Sequence, residues 1–343
     1  MFNEAPHLSG AVTWEDHMNL KHVFAGAVLA VTSAIAAQAE ELKFANFTPP
    51  FHTINASVIE VLNKSLSDAT GGALTVRGYH GGELGAGPAE QYVRAVQGVA
   101  DIAWGLPGYT SSQFEKTMIV ELPGTLSNED DGYAAMWAAY DAHLAGEFTA
   151  TVPVAMWTSE PNVLIMKDKV VRTPADMAGL KVRVAGATAA EVATALGATP
   201  VQMPINQVYN ALQTGLIDGV ITGSSTLSDF KLDEVASSYT FGANLGRLAF
   251  YAVMNEAKYN DLSDAAKAAL DSSGNTAISK SAEDAWNATS DAGVAAARAL
   301  DDNTFVDLSE AEAAAFADVI AGVTGAYVAK VGGEDALAAM QGN

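Results

Sequence analysis

Apolar positions along the chain recur at two spacings, one of about two residues and one of three to four, and the switches between them predict strands and helices. Leu42 to Phe47 is a short apolar-rich run that stops at Thr48-Pro49-Pro50, as a strand would. Ile54, Val58, Val61, Leu62 and Leu66 then repeat at helical spacing until Gly71-Gly72. Ala73 to Tyr79 reads as a second strand, and the loop Gly81 to Gly87 leads to Pro88 at a first-turn position. The next helix is expected to bury Tyr92, Val93, Val96 and Val99, and Asp101 to Trp104 to form the following strand. Strands alternating with helices argue for an α/β protein with parallel or mixed sheets and helices on their faces.

A second set begins after about residue 160. Thr173-Pro174-Ala175-Asp176 is a helix start with a capping threonine, proline at N1 and an acid at N3. Leu180 to Val184 is a strand, Ala187 to Leu196 a helix and Val201 to Met203 a strand; Pro204 opens a helix carrying Val208, Tyr209 and Leu212. Ala95-Val96-Gln97, Gly98 and Asp101 are echoed by Ala211-Leu212-Gln213, Gly215 and Asp218, with one residue inserted. The echo implies two similarly built lobes. Ligands in open α/β sheets sit beyond the carboxyl ends of strands, so the loops at about 105–110 and 222–226 are expected to face each other across a cleft.

The C-terminal third reads as mostly helical. Ser263 is an N-cap for an alanine-rich helix toward Leu300, with a break near Gly274. Ser309-Glu310-Ala311-Glu312 is a capping box, and Phe316, Val319, Ile320, Val323 and Tyr327 are expected on one face of the last long helix.

Residues 19–39 have a different pattern. Lys21 and His22 precede an apolar run from Val23 to Ala36, and Ala37-Gln38-Ala39 is a small-x-small cleavage site. This is a secretory leader, too short to span a bilayer. Glu4, Glu15 and Asp16 are wrong for a leader, so translation is expected to start at Met18 and the mature chain at Glu40. No other segment is expected to reach membrane-spanning length. The mature body is divided as 40–162 with about 250–290 (lobe I) and 163–249 with about 291–343 (lobe II).

Charge narrows the partners. Lys and Arg total 18 against 40 Asp and Glu, a net charge of -22, and removal of residues 1–39 leaves -20. Such an excess repels nucleic acid and gives membranes no basic stripe. The chain has no cysteine, which excludes disulfides, thiol chemistry and a lipid-bearing cysteine tether. The expectation is a soluble, unanchored, exported monomer.

Catalytic motifs are absent. His52, His80 and His143 are the histidines of the mature chain and form no i, i+4 pair, so neither a metal site nor a cofactor is expected. There is no G-x-S-x-G elbow and no P-loop, and the glycine loop has the wrong spacing for a dinucleotide. Arg183 stands out, placed near the end of a strand that alternates Leu180, Val182 and Val184 with Lys181, Arg183 and Ala185. Its planar fork matches a carboxylate bidentately. A surface arginine would fit the same alternation.

The stretch from Thr173 to Gly219 resembles the solute-binding subunits of tripartite ATP-independent periplasmic (TRAP) transporters. It has the P-x-D-x-x-G-L-K-x-R core (Pro174 to Arg183), the L-G-A-x-P-V strand (Leu196 to Val201) and the A-L-Q-T-G-x-x-D-G helix end (Ala211 to Gly219). Leu84-Gly85, the Gln97 to Asp101 step and Glu121-Leu122-Pro123 extend the resemblance over most of the chain.

The resemblance implies a periplasmic-binding-protein-like fold: two lobes joined by crossing strands, with long C-terminal helices spanning both. It also implies a ligand carboxylate clamped by Arg183, delivery to integral membrane subunits, and no enzymatic turnover. Thr222, Gly223 and Ser224 fall where relatives often carry a polar pocket residue, and Asn162 where they offer an arginine or amide. Ile205 stands where relatives are often aromatic. The missing second guanidinium and this isoleucine favour a monocarboxylate. Phe47, His52, Trp104 and Tyr109, at or beyond strand ends, are the candidate walls from lobe I. A periplasmic receptor subunit that reports ligand to a sensor, and an exported enzyme on the same scaffold, are the competing functions.

Overall fold

The computed structural model describes residues 39–127 and 131–342. The expected start at Met18 and the leader up to Gln38 lie outside the described residues. The first lobe opens with β1 (Glu40–Ala45), whose Leu42 and Phe44 are fully buried. A π turn at Asn55–Ile59 continues as α1 (Glu60–Ala69), and Gly71 and Gly72 at positive φ turn the chain into β2 (Leu74–Tyr79). α2 (Gln91–Val96) and β3 (Ile102–Gly105) follow, then α3 (Gly132–Ala139) and β4 (Thr151–Thr158).

The chain then crosses to a second sheet through β5 (Val163–Met166), β6 (Lys181–Val184), α4 (Ala187–Ala195), β7 (Thr199–Gln202), α5 (Val208–Thr214), β8 (Gly219–Thr222), α6 (Thr226–Asp229) and β9 (Ser238–Phe241). It returns in β10 (Ala249–Asn255). The remainder is α7 (Glu256–Asn260), α8 (Asp264–Ala269), α9 (Ser272–Arg298), β11 (Thr304–Asp307), α10 (Glu310–Ile320), α11 (Val323–Val331) and α12 (Glu334–Met340).

The first sheet has the order β2-β1-β3-β10-β4 and the second β11-β9-β5-β8-β6-β7. In the first, β1 is parallel to β2 and β3, while β10 is antiparallel to β3 and β4. In the second, β6 is parallel to β7 and β8, and β5 is antiparallel to β8 and β9. Both are mixed sheets flanked by helices. Helix α9 packs on β4 of the first lobe and on α6 of the second. Tyr327 and Val328 of α11 and Met340 of α12 join the core cluster of the first lobe.

The echoed motif is one structural device used twice. Asp101 accepts the Lys43 N–H (2.7 Å) through its carboxylate and donates its own N–H to Lys43 O (3.0 Å). Asp218 does the same with Lys181, at 2.8 Å for both bonds. Gly98 and Gly215, at φ of 68° and 72°, make the preceding turns, a conformation that favours glycine. Each aspartate ties the turn after a helix to the neighbouring parallel strand.

Several local expectations need correction. Helix α2 starts at Gln91, three residues beyond Pro88, and buries Gln91, Tyr92 and Ala95, while Val93, Val96 and Val99 are exposed. With fewer than two turns, the helix seats only one short stripe on the sheet. Thr173 and Asp176 do form their cap, with the Asp176 carboxylate accepting the Thr173 N–H at 2.8 Å, but they cap a single 3-10 turn that Gly179 ends at positive φ. The break expected at Gly274 falls at Leu270–Asp271, and Gly274 lies inside α9. The last long helix is interrupted at Ala321–Gly322, and Val319 is exposed. Glu310–Val331 is, by length and composition, able to cross a membrane, contrary to expectation. It consists of two helices whose Phe316, Ile320, Tyr327 and Val328 are seated in the cores of the protein.

Candidate functional site

Strand alternation sets the position of Arg183. Val182 and Val184 enter the core of the second lobe, which leaves Arg183 on the opposite face of β6, at the carboxyl end of the strand. There it is 1 % exposed and lines a narrow cleft between the lobes. Its Nε donates to Met203 O at 2.9 Å and its Nη2 to Tyr109 Oη at 3.4 Å. Tyr109 Oη also accepts the Ile205 N–H at 3.1 Å, so one phenol from the first lobe holds two groups of the second. Among the described residues no carboxylate forms an ion pair with Arg183. Burial lowers its pKa, partly offset by Tyr109, and a guanidinium so placed keeps its charge without a counter-ion.

The lobes meet at two glycines. A Cβ on Gly186 would lie 2.6 Å from Gly108 Cα, so the backbone after β3 and the backbone after β6 approach this closely only because Gly186 lacks a side chain, and a Cβ on Gly108 would be tight at 3.3 Å. Beside them the Ala187 N–H donates to Ser111 Oγ at 3.2 Å.

Aromatic rings form most of the remaining wall. Phe47 stacks on Trp104 with centroids 4.5 Å apart, and the Trp104 indole N–H is occupied by Asn46 Oδ1 at 2.9 Å. Trp286 from α9 meets Trp104 edge-on at 6.2 Å, and Phe250 lies 5.3 Å from Trp286. Such rings offer flat apolar faces to a ring-bearing ligand.

His52 is held by its own turn. Its Nδ1 accepts the Ile54 N–H at 3.1 Å, which leaves the proton of the neutral ring on Nε2, 3.5 Å from Asp229 Oδ2. Burial pushes the imidazole down to about 3, so it is uncharged at neutral pH. Burial also pushes Asp229 up to about 6, against two hydrogen bonds from Thr53 that lower it.

Of the nine candidates, Phe47, His52, Trp104, Tyr109, Arg183, Thr222 and Gly223 line this one cleft. Thr222 Oγ1 is buried there without a hydrogen-bond partner. Asn162 and Ser224 are not brought to it. They line a second, open hollow behind the crossing strands. Asn162 Nδ2 donates to Leu245 O at 3.4 Å, and Ser224 Oγ pairs with Ser290 Oγ at 2.7 Å, so both serve the lobe junction. Residues two apart share one face only while the chain stays extended; β8 ends at Thr222 and the chain turns at Ser224, which carries Ser224 away from the cleft. Asp229, Phe230, Phe250 and Trp286 also line the cleft and were not anticipated. Among the described residues no group of three or more His, Asp or Glu side chains is arranged to hold a metal.

Residues 44–330 match the profile of bacterial extracellular solute-binding protein family 7. The chain belongs to this family. Among solved structures, a TRAP solute-binding protein from Rhodoferax ferrireducens in complex with copurified benzoate is 29% identical, with a TM-score of 0.82, over 88% of this chain and 96% of that one. One from Bordetella bronchiseptica with bound mandelate is 25% identical at TM-score 0.80, covering 88% and 98%. A marine metagenome protein specific for aromatic acid ligands, in complex with 3-hydroxybenzoate, is 26% identical at TM-score 0.81, covering 89% and 98%. A curated solute-binding protein from Chromohalobacter salexigens is 26% identical over 64% of this chain, and the alignment spans 66% of its own length. The C4-dicarboxylate-binding periplasmic protein of Rhodobacter capsulatus is 29% identical over 47% of this chain and 48% of its own. The two-lobed α/β fold expected from the echo is therefore the fold of a TRAP solute-binding protein of family 7.

Proposed function

We propose that this TRAP solute-binding protein captures a small aromatic monocarboxylate in the periplasm and passes it unchanged to integral membrane subunits. One observation carries the reading. A buried guanidinium without a carboxylate partner stands at one end of an aromatic-walled cleft. A buried charge is strongly destabilising unless it is paired and hydrogen-bonded, and a ligand carboxylate completes it. Thr222 Oγ1 is a second donor at the same wall. The bound ligands of three structural relatives, benzoate, mandelate and 3-hydroxybenzoate, are of this chemical class.

Capture requires opening and closing. The moving units we assign are residues 40–162 with about 250–290, joined by α11 and α12, whose Tyr327, Val328 and Met340 lie in the first lobe's core, and 163–249 with the segment from about 291 up to α11. The chain passes between the sheets at Ser159–Asn162 and Gly242–Leu248, which are the hinge candidates. Turnover is not part of the reading, because the one histidine in the cleft is held neutral, with Nδ1 already accepting a backbone hydrogen bond.

The test is calorimetric titration of the mature protein with aromatic monocarboxylates and aliphatic dicarboxylates, with recovery and analysis of the ligand. Binding of the aromatic acids, and their recovery unchanged, is the expected result. Preference for a dicarboxylate, or chemical conversion, would overturn the reading.

A further inference from the structure

The cleft holds two formal charges that do not neutralise each other. Arg183 and Asp229 both line it, at 1 % and 7 % exposure, yet no ion pair joins them. The bonds that Asp229 does make hold it in place. Its Oδ1 accepts the Thr53 N–H at 3.1 Å, and its Oδ2 faces the His52 Nε2 at 3.5 Å, a long and weak contact that leaves acceptor capacity on that oxygen. His52 is in turn packed against Phe230 at 5.1 Å and Trp286 at 5.6 Å, so it acts as a fixed, neutral strut.

A plain aromatic acid would satisfy Arg183 and bring its ring against the aromatic wall, but it would bring no donor to Asp229 Oδ2, whose contact with His52 Nε2 is long at 3.5 Å. That is unfavourable for Asp229, and any ligand that donates a hydrogen bond to it removes the penalty. We infer that Asp229, positioned by His52, is a specificity-determining acceptor for a hydroxyl group on the ligand ring, so that the preferred ligand class is the hydroxylated aromatic monocarboxylates. This rests on the aromatic-acid reading above. A hydroxyl donating to a carboxylate forms a charge-assisted bond, stronger than a neutral pair. A site built around such a bond discriminates strongly against analogues that lack the donor. The carboxylate end binds to Arg183 and the hydroxyl end to Asp229, and the aromatic box spans between them.

The experiment is titration of the wild-type protein with benzoate, 3- and 4-hydroxybenzoate, and 3- and 4-methylbenzoate as shape controls. One hydroxy isomer is expected to bind at least about tenfold tighter than both benzoate and its methyl counterpart. In Asp229→Ala that preference should shrink to about twofold or less. Asp229→Asn, which keeps the shape, should give an intermediate preference. If Asp229→Ala does not fold, the wild-type series and Asp229→Asn decide. Benzoate binding with no advantage for either hydroxy isomer over its methyl counterpart overturns the inference and leaves the aromatic-acid reading in place. A hydroxyl preference that survives in Asp229→Ala also overturns it. Failure of every aromatic acid to bind overturns both.

Discussion

After β3 the chain runs Leu106-Pro107-Gly108-Tyr109, and after β8 it runs Gly223-Ser224-Ser225-Thr226. Both segments leave strands anchored by the same aspartate device, and both arrive at the same cleft. Their chemistry differs. The first lobe brings Phe47, Trp104 and the Tyr109 phenol, whereas the second brings Arg183, Thr222 and Asp229. The first lobe supplies most of the apolar surface, and the second supplies the charged groups. A repeated scaffold fixes where the two loops go, and the residues placed on them decide what is bound.

The largest expected break in this division of labour is Arg183→Ala. Loss of one partner of a buried charge pair should weaken binding of an aromatic acid by about 2–5 kcal/mol, measured by calorimetry, with the mutant still folded. Unchanged affinity would mean that the second lobe does not supply the charge.

Gly186→Ala tests whether the lobes must touch. The added Cβ would meet Gly108 Cα at 2.6 Å in the arrangement seen here; if that contact belongs to the shut cleft, the free protein should melt normally while ligand affinity falls by at least about tenfold, roughly 1.4 kcal/mol. Scattering should show no compaction of the mutant on ligand addition. Normal compaction would place the closing contact elsewhere.

Buried acids give the next effect. Burial raises Glu121 and Glu160 to about 7 and Asp229 to about 6. The folded protein therefore holds protons that the unfolded chain has released, and stability falls as pH rises through this window. His52, lowered to about 3, acts in the opposite sense, but only below the ordinary imidazole value near 6.5. Three acids outweigh one imidazole below that value, and above it only the acids act. The melting temperature is expected to fall between about pH 5 and pH 7.5, and less steeply in Glu160→Gln. A rise over that range would show that these carboxyls are not buried as described.

The smallest effect probes the repeat itself. Asp101→Ala and Asp218→Ala each remove one carboxylate–backbone bond and should each cost about 0.5–1.5 kcal/mol in denaturant unfolding, in nearly equal measure. A large cost for one and none for the other would mean that the two turns are not equivalent.

Much of this frame was legible in the sequence because it depends on local patterns. The echo gave the two helix-to-strand turns and the facing loops. Alternation along β6 put Arg183 on the face opposite Val182 and Val184 but fitted a surface arginine equally, and only the family resemblance pointed to a buried clamp. Trp286 was not legible, since a tryptophan inside a 27-residue amphipathic helix reads as core until the helix is seen crossing both lobes. Asp229 was hidden among forty acids, and only packing against His52 and Thr53 marks it. Val93, Val96 and Val99 misled because apolar spacing does not say how short a helix is.

The most direct test of the central claim compares benzoate with benzamide, which has nearly the same shape without the charge. If Arg183 is completed by a ligand carboxylate, benzoate should bind the wild-type protein at least about a hundredfold tighter than benzamide, roughly 2.7 kcal/mol. Equal affinity for the two would contradict the account.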